Sequence, residues 1–298
     1  MAAGFEMAGK PPTTTHEDAP VVMLVHGMWS RPHVWDNFRQ FFEARGYRVI
    51  TPTLRFHDTE PGDAPHPCLG ETSLSDYLEG LICEIGRLRT KPLVIGHSMG
   101  GLLAHILAAR GFARAVVGLA PAQNAGVFNH DLRSVWIFRR EFVRRGFWRE
   151  PQLPSFEAMR YGVMNRLPER DREDLYSTLI HESGRVTLEI GFWFLDRQRT
   201  TWINPADVAC PMLFMTGTED KLTPLWLTHR LAEPYGEKLK VEALRGHSHW
   251  LPAEPGWERI AERAAALFET EAPEIARRMA AQAAPGLRGL VTAYQAAR

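Results

Sequence analysis

Five residues, Gly96-His97-Ser98-Met99-Gly100, have the types and spacing of a nucleophile carried on a tight turn. A serine hydroxyl is a weak nucleophile until a neighbouring base takes its proton. A turn sharp enough to push that hydroxyl clear leaves no room for side chains two positions to either side, where Gly96 and Gly100 stand. Met99 then opens a helix, so its backbone N–H lies at the positive helix end, where a developing oxyanion would be stabilised. The base and its orienting acid must come from elsewhere. The stretch Gly217-Thr-Glu219-Asp220-Lys-Leu-Thr-Pro224 offers a carboxylate in a turn closed by Pro, with Asp220 preferred over its neighbour Glu219. Gly246-His247-Ser-His249-Trp250 offers two imidazoles, and the spacing to Glu254-Pro255 and the following helix favours His249 over His247. A serine, histidine and aspartate so combined would perform acyl transfer through a covalent intermediate.

These residues need a scaffold that brings distant parts of the chain to one edge. Continuous apolar runs at 21–26, 91–96, 114–120 and 211–217 read as strands buried on both faces, and 47–53 and 238–243 as further strands. Helical patterns fall at 33–45, with Val34, Phe38, Phe41 and Phe42 on one face, at 73–89 with Ser73 as N-cap, and at 99–110 stopped by Gly111. Others cover 224–233 and 257–269. The alternation predicts a mostly parallel, doubly wound α/β sheet. Ser98, Asp220 and His249 each follow a strand, so all three face its carboxyl edge.

Between 127 and 204 the rhythm breaks. No strand is expected there, only helical stretches rich in aromatics, among them Trp136, Phe138, Phe142, Phe147, Trp148, Phe192 and Trp202. Those rings could wall a pocket or form the core of a small helical insertion. The predicted organisation is a flexible segment at 1–20, an α/β core from 21–126 and 205–270, a helical insertion at 127–204 and a helical tail at 271–298. In the tail, Leu287, Leu290, Val291 and Tyr294 recur at helical spacing, as a packing face or a dimer contact.

Composition excludes several classes. With 35 Lys+Arg against 35 Asp+Glu in 298 residues, the chain lacks the field of a nucleic-acid binder. Residues 1–20 contain no apolar signal region, and no run reaches the roughly 18 apolar residues of a membrane span. Cys68, Cys83 and Cys210 show no metal-ligand spacing and read as reduced, packed thiols of a cytoplasmic protein. No metal or organic cofactor is implied, and a small-molecule substrate is expected. Zero net charge conceals a local excess, since residues 133–149 contain six arginines and one glutamate. That stretch reads as a solvated face, or as a site for a substrate carboxylate or an acidic partner.

Taken together, His26-Gly27, Gly96-x-Ser98-x-Gly100, Asp220 and His249 resemble the α/β-hydrolase fold superfamily over roughly residues 20–270. The resemblance implies that the loop opened by His26-Gly27 supplies a second oxyanion N–H, from Met28 in preference to Trp29. Trp29 and His97, beside that loop and the serine, are assigned to substrate contact. It implies a cap inserted after the strand that follows the elbow helix, and a sheet of six strands rather than eight. A Ser in place of Asp at the elbow disfavours dehalogenase and epoxide-hydrolase chemistry. The implied enzyme is a serine hydrolase acting on a small, mostly apolar carboxylic ester. The alternatives are the same triad on another bond (C–C hydrolase, thioesterase, amidase or lyase) and a non-catalytic ligand receptor. A homodimer through the cap or the tail is possible on this reading.

Overall fold

An unbroken apolar run cannot alternate between core and solvent, and Val21–Val25 (β1) is buried along its whole length. The computed structural model describes residues 19–271 and 273. After β1 come a 3-10 turn at Pro32–Trp35, helix α1 (Asp36–Glu43), strand β2 (Arg48–Ile50) and helix α2 (Leu74–Gly86). Strand β3 (Leu93–His97), helix α3 (Met99–Ala109) and strand β4 (Ala115–Leu119) complete the first half of the sheet. A helical segment follows, containing α4 (Leu132–Ile137), α5 (Arg139–Phe142), strand β5 (Pro151–Gln152) and α6 (Phe156–Gly162). It continues through α7 (Glu169–Ser177), strand β6 (Glu182–Ser183) and α8 (Gly184–Gly191). The α/β alternation resumes with β7 (Met212–Gly217), α9 (Leu225–Ala232), β8 (Leu239–Leu244) and α10 (Trp257–Glu271).

Six strands form one sheet in the order β2-β1-β3-β4-β7-β8, and every neighbouring pair is parallel. From β1 the order runs one way to β2 and the other way through β3. A crevice therefore opens between the carboxyl ends of β1 and β3, the place where such sheets bind ligands. Met28 follows β1 and Ser98 follows β3, so they flank that crevice.

Local signals account for several boundaries. Ser73 accepts from the Asp76 amide and Asp76 returns a bond to the Ser73 amide, a capping box that starts α2. Pro32 opens the 3-10 turn, so the expected helix at 33–45 divides, and α1 begins only at Asp36. The strand expected at 47–53 shrinks to three half-buried residues, because Pro52 lacks the amide a longer ladder needs. In the helical segment, β5 and β6 pair antiparallel where no strand was expected; two residues each are too few to show a period.

Several buried residues of the helical segment join the core of the sheet. Ile137, Met159, Val163, Val186 and Ile190 belong to the same buried cluster as the sheet residues Leu24, Ile95 and Val117. On the far side, α10 packs Phe268 against Phe42 of α1 at 5.9 Å between ring centres. Truncating a ring of this kind to Ala costs about 3–5 kcal/mol. Cys68 and Cys83 are exposed and Cys210 half-buried, all as free thiols, so the expected packing fails for the first two. Among the described residues, no helix is long and apolar enough to cross a membrane. Leu287, Leu290, Val291 and Tyr294 lie outside the described residues.

Candidate active site

Ser98 stands between the last residue of β3 and the first of α3 with φ 54° and ψ −118°, a backbone conformation L-residues rarely adopt. Such a residue costs of the order of 1–3 kcal/mol and persists only where its surroundings dictate it. Here they do. The Ser98 amide donates to Leu119 O at 2.9 Å, and its carbonyl accepts from Gly101 N at 2.9 Å and Ala122 N at 3.0 Å. A Cβ on Gly96 would collide with the Gly100 carbonyl, and one on Gly100 with the Val25 carbonyl. The glycines at these two positions are sterically required.

Two amides border the serine. Met99 N–H is the first of α3, and Met28 N–H lies in the turn after β1, just before Trp29 at φ 62°. Among the described residues neither amide donates to a backbone acceptor. That turn is held close to the serine because Gly27 has no side chain: a Cβ there would sit 2.9 Å from His97 O and 3.1 Å from Ser98 Cβ. His26 Nδ1 lies 3.0 Å from Gly27 O, and burial, then the neighbouring His57, pushes its pKa down to about 3. The neutral ring therefore donates to that carbonyl.

Asp220 and His249 meet in the interior. His249 Nδ1 is 2.8 Å from Asp220 Oδ2, with side chains 2% and 0% exposed. Asp220 Oδ1 accepts the Leu222 and Thr223 amides, each at 2.8 Å, so the carboxylate closes its own turn. Thr223 Oγ1 lies 3.0 Å from Asp220 Oδ2 and 3.2 Å from His249 Nδ1, and donates to Ala120 O at 3.1 Å. Residue-type reasoning passed over Thr223, although the Asp-x-x-Thr-Pro turn was a signal for it. Glu219 is exposed, and His247 turns away to Glu254, 3.0 Å from Nδ1. His249 Nε2 has no partner among the described residues, and Ser98 Oγ makes no hydrogen bond to it in this arrangement.

His97 and Trp29 do not line the cavity above Ser98. His97 is buried beneath the histidine loop, with Nε2 2.8 Å from His249 O. Burial and then His249 push its pKa well below the usual histidine range, so a neutral ring donates to that carbonyl. Trp29 lies behind Phe138, with ring centres 5.7 Å apart. Both support the site from outside rather than face its contents.

The cavity has a volume of about 260 Å³ and runs from Met28 and Ser98 to Phe138, Phe142, Ile190 and Phe192 of the helical segment. Its polar groups are largely spent on the protein itself. Gln123 Nε2 donates to Ile190 O, Asn129 Nδ2 to Leu222 O and Thr187 Oγ1 to Ser183 O. Other aromatics pack elsewhere, as Trp136 does on Tyr161 at 4.6 Å. The arginine excess is also reduced: Arg133 pairs with Asp131, Arg139 with Glu157 and Arg144 with Glu150. Among the described residues, no three His, Cys, Asp or Glu side chains are grouped to hold a metal ion.

The sequence profile of the Alpha/beta hydrolase family matches residues 22–287. Over 80 residues the chain is 34% identical to a pyrethroid hydrolase of Sphingobium wenxiniae, an alignment covering 27% of each protein. The chain thus matches about a quarter of that relative's length. It is 25% identical to epoxide hydrolase A of Mycobacterium tuberculosis over 301 residues, covering 84% of this chain and 90% of the relative. Among solved structures, an extracellular alpha/beta-hydrolase from a Paenibacillus species superposes with a TM-score of 0.63 at 17% identity. That superposition covers 85% of this chain and 98% of the other.

Proposed function

The chain belongs to the alpha/beta hydrolase family and is a hydrolase, and from that premise we propose that it cleaves a small, mostly apolar carboxylic ester through a covalent acyl-enzyme. The observation carrying this reading is the buried 2.8 Å bond between Asp220 and His249 beside an elbow serine that opens into an apolar cavity. Ser98 Oγ attacks the ester carbonyl carbon while His249 Nε2 takes its proton, after a side-chain rotation that closes the gap between them. Asp220 holds the opposite ring nitrogen and stabilises the imidazolium. The oxyanion is bound by the Met28 and Met99 amides, each worth about 3 kcal/mol at the transition state. His249 then protonates the leaving alkoxide, which departs as the alcohol. Water, deprotonated by the same nitrogen, attacks the acyl carbon, releases the carboxylic acid and restores Ser98.

Residues 127–204 act on this reading as a cap over the cavity, with 21–126 and 205–270 as the core. The cavity's internally satisfied polar groups support an apolar acyl or aryl group, since a polar substrate would find few free partners. The family's epoxide hydrolase does not lend its reaction here, because this elbow carries Ser in place of the carboxylate such chemistry needs. Three unpaired thiols suit a reducing, cytoplasmic setting. Exposed cap side chains such as Leu132 and Val143 are where a homodimer would form. The test is turnover of short aryl esters, with thioesters and amides beside them, together with fluorophosphonate labelling. Ser98→Ala is expected to abolish labelling and to lower ester turnover by at least about 10³-fold. Undiminished turnover overturns the assignment.

A further inference from the structure

The helical segment does more than roof the cavity. It grips the two loops that carry the acid and the base. Loop 219–223 holds Asp220, and the carbonyl of Glu219 accepts from Asn165 Nδ2 at 3.0 Å. The Leu222 carbonyl accepts from Asn129 Nδ2 at 3.0 Å and from Ser134 Oγ at 2.8 Å. Loop 246–249 holds His249. Its Gly246 carbonyl accepts from Arg166 Nε at 3.0 Å, and Ser248 Oγ lies 3.1 Å from Val163 O.

Asn165 and Arg166 are consecutive. One bonds the acid loop and the other the base loop, so a single turn between α6 and α7 spans both. The loops also touch directly, Glu219 N–H donating to His247 O at 3.0 Å. The contacts from the α6–α7 turn add a second link between them. Both side chains reach only main-chain carbonyls of these loops, so what they control is where the loops sit.

We propose that Asn165 and Arg166 are positioning residues for the Asp220–His249 pair, a clasp through which the helical segment sets the alignment of acid and base. The inference rests on the assignment of Asp220 and His249 given above. Its physical content is that the walls of the cavity and the geometry of the pair are one mechanical unit. A displacement of the α6–α7 turn moves the Glu219 and Gly246 carbonyls, and with them the carboxylate and the ring. Reaction rate responds steeply to such shifts: a misplacement of about 1 Å is worth up to about 100-fold.

The variants are Asn165→Asp, which sets an oxygen against the Glu219 carbonyl at constant shape, and Arg166→Met, which removes the donor and keeps most of the length. Arg166→Lys retains a donor, and Arg170→Ala, on the exposed face of α7, is the control. Both carbonyl contacts lie at the surface, so folding survives the changes. For each variant, exhaustive fluorophosphonate labelling counts sites, the initial labelling rate reads activation of Ser98, and aryl-ester kinetics give kcat and KM per labelled site. Expected are falls in kcat and labelling rate of about 10- to 100-fold for Asn165→Asp and Arg166→Met. KM should stay within about twofold, Arg166→Lys should recover most of the rate, and Arg170→Ala should match the parent. Unchanged kcat per labelled site overturns the proposal, even if the melting temperature drops, because a purely structural role moves only stability. A rise in KM at constant kcat overturns it too, placing the residues in substrate contact. Failure of the underlying assignment reads differently: the parent enzyme would not be labelled, or Ser98→Ala would remain active.

Discussion

Among the described residues, two histidine–carboxylate pairs are sealed from solvent. His249 and Asp220 lie at the carboxyl edge of the sheet, 2.8 Å apart and 2% and 0% exposed. His57 and Glu182 lie between the loop after β2 and strand β6, 3.1 Å apart and both fully buried. Both are buried imidazoles hydrogen-bonded to a carboxylate, through Nδ1 in His249 and Nε2 in His57. They differ in the second ring nitrogen. His57 Nδ1 is taken by Arg55 O at 3.1 Å, so both nitrogens face acceptors. Burial alone would lower the His57 pKa, but the charge and hydrogen bond of Glu182 outweigh it and raise the value above the usual histidine range. Glu182 also accepts from the Tyr77 hydroxyl and the Ser183 amide, each at 2.6 Å. That pair is a fastener between the sheet domain and the helical segment. His249 keeps Nε2 uncommitted, and an imidazole with one nitrogen fixed and the other free is what a general base requires.

The largest expected effect tests the pair proposed to act in catalysis. Asp220→Asn preserves shape but favours the wrong tautomer of His249, and kcat/KM on an aryl ester should fall by about 10⁴-fold. Activity within tenfold of the parent would mean that the free nitrogen, not the acid behind it, carries the chemistry.

The fastener should respond in stability instead. His57→Gln leaves the Glu182 charge buried without its cation, and below pH 6.5 denaturant unfolding should show a loss of about 3–5 kcal/mol. Turnover per folded molecule should stay within about threefold. The pH dependence has a definite sign. A folded-state pKa above the ordinary 6.5 makes this contribution complete below 6.5 and removes it as pH rises through the raised value. The stability gap between parent and His57→Gln should therefore narrow toward alkaline pH. A gap that widens would show that the pair is not held as an ion pair. His105 runs the other way, since burial pushes it down to about 3, and its neutral ring loses stability for the fold as pH falls below 6.5.

The contrast also explains what could be read from the chain before folding. The elbow was legible because its constraints are local: two glycines, a serine and a strand–helix boundary within five residues. The sheet was legible because each central strand is a continuous apolar run. His57 and Glu182 are 125 positions apart, and no spacing rule links them. The same holds for Asn165 and Glu219, separated by 54 positions and joined through a main-chain carbonyl that has no residue signature. His97 was identifiable by type and neighbourhood, but not the direction in which the end of β3 points its ring. The charge excess of the arginine stretch depends on where the window ends. A window over 133–149 stops just short of Asp131 and Glu150, which pair with Arg133 and Arg144.

The smallest effect belongs to a third pair, which shares the loop of the first. His247 Nδ1 lies 3.0 Å from Glu254 Oε2, and its side chain is 21% exposed while that of Glu254 is 2% exposed. Glu254 is already held by the Ser248 amide, 2.9 Å from Oε2, and by the Ser248 hydroxyl. Losing the imidazole therefore removes one partner of three and leaves the loop pinned where His249 needs it. His247→Asn keeps an amide donor near the position of Nδ1, and kcat/KM should change by no more than about twofold, as for a partly solvated pair. His249→Asn in the same assay should lose at least about 10³-fold. If the two results were exchanged, the base would be His247, and burial beside a carboxylate would have been the wrong criterion for choosing between two histidines two residues apart.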